Sequence, residues 1–104
     1  MKIFNAKRRL GPSSVPKYVC FGIDFNPNGL DYSRGKGAGS LEYTVLGIFD
    51  NNKKAEEFIN KHIDQKTHEN FTWIAVDERY SPRFNEVTCG KIFQSMGEFE
   101  DFIG

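Results

Sequence analysis

Two cysteines, Cys20 and Cys89, and two histidines, His62 and His68, are the side chains of this 104-residue chain best suited to nucleophilic or metal chemistry. A zinc site needs Cys or His ligands in closely spaced pairs, and none of these four stands near enough to another to form one. A thiol nucleophile needs a base within hydrogen-bond reach, so Cys20 or Cys89 would have to meet His62 across the fold. Each cysteine lies in an apparent strand, which predicts reduced core thiols in place of a disulfide. His62 falls on the apolar side of a helical pattern and is expected to pack its ring at the boundary of the core. The carboxylates Asp77, Glu78 and Glu86 border one connector, where acids at strand ends are ordinarily solvated. No catalytic residue, metal site or cofactor is expected, and the chain reads as a non-enzyme.

Anion binding has two candidate carriers. The first is GKGAGS at 35–40, where glycines free successive backbone amides to cradle an anion. It lacks the Lys followed by Ser or Thr of a nucleotide-binding loop and leads into a strand, where such a loop opens a helix. The second is a basic set, Lys7, Arg8, Arg9 and Lys17, joined by Arg34 and Lys36 if the 26–40 loop folds back, with Tyr18, Tyr32 and Phe4 as stacking surfaces. Tyr32 and Tyr80 are the aromatic loop residues expected to meet a partner.

Charge is unevenly spread. Residues 1–40 hold seven bases and two acids, a balance of +5, so a chain with 14 of each carries −5 over residues 41–104. The molecule is expected to be bipolar, with an acidic surface suited to a basic partner. Fifteen aromatic residues (10 Phe, 4 Tyr, 1 Trp) argue for a packed domain. Lys7, Arg8 and Arg9 interrupt any apolar leader, and no apolar run approaches the length of a membrane span, so a cytoplasmic protein is expected.

The elements that must position these groups centre on residues 43–78. Ala55, Phe58, Ile59, His62 and Ile63 recur at i, i+3, i+4, i+7 and i+8, the stripe of an amphipathic helix. Asp50 or Asn51 supplies its N-cap. Tyr43–Phe49 and Phe71–Val76 flank it as strands apolar on both faces, hence central. Strict alternation puts Tyr43, Val45 and Phe49 on one side, with Thr44, Leu46 and Ile48 on the other. Tyr18–Phe25 is a further strand with Val19, Phe21, Ile23 and Phe25 on one face. Glu86–Gln94 is expected to be the fourth main strand, with Gly90 at a bulge. Ser95 and Glu98 open a terminal helix whose Phe99, Phe102 and Ile103 face inward.

The sum is a single α+β domain over 1–104, a two-layer sandwich of order β-β-α-β-β-α. Its sheet is mainly antiparallel, of four to five strands, with one main helix packed on it. Residues 1–16 are a basic arm or edge strand plus connector, and 26–40 a flexible Gly-rich loop. An exposed edge strand leaves a homodimer open.

The run LGIFDNNKKAEEFINKH followed by FTWIAVDE resembles a pattern of small uncharacterised phage and bacterial domains, in which a Gly-Ile-Phe-Asp strand leads into an Ala-x-x-Phe-Ile helix. The resemblance covers residues 43–78 and implies no activity. It points to a phage or bacterial accessory protein, and the acidic surface on a compact domain without a catalytic motif makes the expected role that of a phage or mobile-element protein that binds and inhibits a host macromolecule, such as a defence or nucleic-acid-handling protein. The alternative is nucleic-acid binding through the basic segment and the Gly-rich loop.

Overall fold

The computed structural model describes residues 3–7, 16–29 and 39–104, the first of these as backbone only. In chain order the elements are β1 (Ile3–Lys7), β2 (Pro16–Asn26), β3 (Ser40–Phe49), α1 (Asn52–Gln65), β4 (Asn70–Asp77), 3-10 turns at Glu78–Tyr80 and Phe84–Glu86, β5 (Ile92–Phe93) and α2 (Met96–Ile103). The five strands form one sheet in the order β1-β4-β2-β3-β5. Strands β2–β3, β2–β4 and β3–β5 pair antiparallel, and β1–β4 pair parallel. Helix α1 therefore joins two parallel strands, β3 and β4, that hold β2 between them, a split β-α-β unit. The mainly antiparallel α+β sheet with a main helix packed on it is the architecture expected.

Helix α1 begins where Asn51 accepts a hydrogen bond from the Lys54 backbone N–H at 2.8 Å, which selects Asn51 over Asp50 as the cap. It ends at Lys66, whose left-handed φ of 53° lets the cap N–H return to the His62 and Ile63 carbonyls. Ala55 and Ile59 are fully buried and Phe58 and Ile63 partly so, against Cys20, Phe71, Trp73 and Ala75. The helical stripe thus becomes one core of the protein. Burying Ile59 alone contributes roughly 1.5–3 kcal/mol.

A second core lies on the opposite face. Val19, Phe21, Val45, Ile74 and Val76 meet Phe84, Val87, Phe93, Phe99 and Ile103 from the C-terminal segment. The strands apolar on both sides are covered on both sides, as their patterning requires. Ser95 caps α2 by accepting from the Glu98 N–H at 3.0 Å, while the Glu98 carboxylate reaches back to the Gln94 N–H at 2.9 Å. This is the expected capping box with its return bond one residue early.

Two expectations are corrected. Strand β3 does not alternate strictly: Cys20 pairs with Gly47 but Phe21 with Val45, so Leu46 is an extra residue on β3. Beyond this bulge the faces exchange, and Phe49 joins Leu46 over α1 while Ile48 joins Tyr43 and Val45 on the other side. The second concerns Glu86–Gln94, where the only strand is the two-residue β5. A 3-10 turn occupies Phe84–Glu86, and Gly90 sits at φ +89°, a conformation that turns the chain out of the ladder. Cys89 consequently lies exposed in a turn, not in the core; Cys20 is the buried thiol, and both are free.

Candidate functional site

Strand β2 outruns β4, whose pairing stops at Ile23 with Asn70, so residues 24–26 need other partners on that side. The segment leaving α1 supplies them. His68 Nδ1 and Asp24 Oδ2 are 2.6 Å apart, and the acceptor-only carboxylate makes Nδ1 the donor. The Glu69 N–H donates to Asp24 Oδ1 at 3.1 Å, and the Glu69 carboxylate accepts from the Phe25 N–H at 2.9 Å. Asn26 Nδ2 adds a bond to Glu42 at 3.0 Å, and the Asn28 N–H closes a turn on Asn26 Oδ1 at 3.0 Å. The imidazole of His68 sits against Gly22, where a Cβ would stand 2.4 Å from the ring, and meets Phe71 in a T-shaped contact. Only glycine admits the ring there.

The other face of this sheet end is apolar. Phe25 and Leu41 are cross-strand partners that remain 45% and 37% exposed. A backbone pinned on one face by Asp24, His68 and Glu69 thus displays two adjacent hydrophobic side chains on the other. Sequence reasoning missed this site because Asp24 and His68 stand 44 residues apart. The signal that was present is Phe25 itself, the last residue of the apolar face that runs through Val19, Phe21 and Ile23.

The cysteine–histidine pairs are not assembled. Cys20 donates its thiol hydrogen to the Ala55 carbonyl at 3.7 Å, and Cys89 approaches the Leu46 carbonyl at 3.5 Å. Burial pushes the Cys20 thiol up to about 12, so it is no thiolate at neutral pH. His62 bonds to Thr67 at 3.0 Å and packs on Phe58, the boundary role expected of it.

The three connector carboxylates are not brought together as an acid–base set. Asp77 is fully buried and gives both oxygens to Arg79, accepting from its backbone N–H, Nε and Nη2 at 2.8–3.1 Å. Glu86 pairs with Arg83, which holds its carboxyl below the ordinary range. Among the described residues, no group of three or more His, Cys, Asp or Glu side chains is placed to hold a metal ion, and no helix is long and apolar enough to cross a membrane.

Of the basic set, Lys17 is engaged with Asp50, whose hydrogen bond raises the Lys17 pKa and lowers that of Asp50. The Lys7 side chain, Arg8, Arg9, Tyr32, Arg34 and Lys36 lie outside the described residues. Tyr80 closes the first 3-10 turn, 60% exposed, with the Arg79 guanidinium 5.6 Å from its ring centre. Compared with known proteins, the chain matches no family model, no curated protein and no solved structure.

Proposed function

We propose that the protein is a small non-enzymatic binding module that recognises a partner protein through the apolar end of its sheet. The observation that carries this reading is the Phe25–Leu41 pair, two exposed hydrophobic side chains side by side on a backbone fixed from behind. A rigid strand end loses little conformational freedom when such residues are covered, so more of their burial energy appears as affinity. The resemblance of residues 43–78 to small phage and bacterial domains supports the concrete version. In that version a phage or mobile-element accessory protein occupies a functional face of a host defence or nucleic-acid-handling protein and inhibits it.

Affinity capture from bacterial host lysates tests the reading. The wild type is expected to retain a specific protein that the double variant Phe25→Ser/Leu41→Ser loses while keeping its fold by circular dichroism. Equal capture by both, or capture that nuclease treatment abolishes, would overturn it, the latter in favour of nucleic-acid binding.

A further inference from the structure

A second surface lies at the far edge of the sheet. Strand β3 runs from Ser40 to Phe49, but β5 pairs with it only at Tyr43 and Thr44. The turn before β5 reaches a little further, through Lys91 and Gly90 to the Val45 backbone and through Cys89 to the Leu46 carbonyl. Past that point, among the described residues, Gly47, Ile48 and Phe49 have β2 on one side and no strand on the other. An uncovered strand edge presents unpaired N–H and C=O groups, a template for one more strand.

Beside this edge runs a cleft of about 250 Å³ lined by Phe49, Lys54, Glu57, Phe58 and Lys61. Its floor is the contact between the Phe49 and Phe58 rings, whose centres are 4.9 Å apart. A Cβ on Gly47 would stand 3.0 Å from the Phe49 ring and 3.4 Å from the Phe58 ring, so glycine leaves the two rings room to meet there. Helical spacing places Lys54, Phe58 and Lys61 on one flank of α1, so two ammonium groups border an aromatic floor. The Leu46 bulge is what turns Phe49 onto this face.

We propose that this groove takes an extended acidic segment of a partner protein. The segment adds to the sheet as a strand alongside Gly47–Phe49 and sets one apolar side chain against Phe49 and Phe58. The open edge supplies backbone hydrogen bonds, the cleft selects the anchor, and Lys54 and Lys61 favour carboxylates on either side of it. A nucleic acid fits less well, because its backbone cannot extend a β ladder. The proposal shares with the sheet-end reading only the premise of a protein partner; its surface, and its test, are separate.

The test is an NMR titration of the full chain with an acetylated heptapeptide that has phenylalanine at its centre, glutamate at positions 2 and 6, on the same face of the strand, and threonine elsewhere. Amide shifts at residues 46–49 and along the Lys54–Lys61 flank of α1 are expected. Affinity should fall about tenfold or more in Lys54→Glu/Lys61→Glu, a change remote from the core. A peptide with proline for the threonines at positions 3 and 5 should bind far more weakly, as it cannot pair along its length. Equal binding of a lysine-for-glutamate peptide, shifts confined to other regions, no binding at millimolar peptide, or preferential shifts at these residues with oligothymidylate would each overturn the proposal. The sheet-end reading would survive all four, since it depends on Phe25 and Leu41.

Discussion

A 14-residue helix covers one face of the sheet, whereas the other is closed by an 8-residue helix and by Phe84, Val87 and Phe93 from the largely irregular segment before it. The α1 face can use small residues, since Ala55, Ala75 and Cys20 let a regular helix approach closely. The α2 face has little regular structure to bring to the interface and fills it with rings. Phe99 stands edge-on to Phe21 and Phe93 at 5.0 and 5.3 Å, and Phe93 to Phe102 at 5.5 Å. Arg83 and Lys91 then close over Phe102 at 4.2 and 4.6 Å. Rings meet on the α1 face as well, Tyr18 with Trp73 at 5.2 Å and Phe49 with Phe58 at 4.9 Å, so the α2 face differs in how little backbone order carries its rings, not in having them.

Removing one central side chain from each face gives the largest effects. Phe99→Ala is expected to cost about 3–5 kcal/mol and Ile59→Ala about 2–5 kcal/mol in urea unfolding, with Phe99 the larger because it loses two aromatic partners. A smaller loss at Phe99 would break the comparison. Next in size is the sheet end on the α1 face. Gly22→Ala should displace the His68 ring and cost about 1–3 kcal/mol, as overpacking does. Adding His68→Ala should return part of that loss, so the two changes should be far from additive in a double-mutant cycle. The helix caps come third. Asn51→Ala and Ser95→Ala each remove one cap and should cost about 1 kcal/mol, but the loss should weigh more on α2, where hydrogen exchange should show the whole short helix opening.

The cysteines sharpen the comparison through accessibility and pH. In the folded protein a thiol reagent should label Cys89 at once and Cys20 only through unfolding. Burial holds the proton on Cys20 well above its ordinary 9.0, up to about 12, so the folded chain retains a proton that the unfolded chain releases. Stability from this thiol is complete below pH 9.0 and drains away as pH climbs toward 12. The decline in unfolding midpoint over that window should be shallower in Cys20→Ala.

The α1 face was readable because its information is periodic. The i, i+3, i+4 stripe from Ala55 to Ile63 and the alternation of β2 and β4 each repeat at the spacing of the element that uses them. The α2 face was readable only at its helix, where Ser95 and Glu98 carry a local signal. Between Glu78 and Gln94 the apolar residues are spaced much as in a strand, yet Val87 and Phe93 enter the core from a turn and a stub of ladder. The Leu46 bulge left no trace, because Leu46, Ile48 and Phe49 are apolar and suit either side. Asp24 and His68 meet only through the pairing of β2 with β4, a register that no local pattern announces.

The parallel pairing of β1 with β4 sets the order in which the sheet can be completed. Ile3 lies beside Phe71, so β1 has no berth until β2, β3, α1 and β4 have followed it. Closing so wide a span costs chain entropy before any ladder bond offsets it. Strand β1 must wait unpaired until the rest of the sheet is in place.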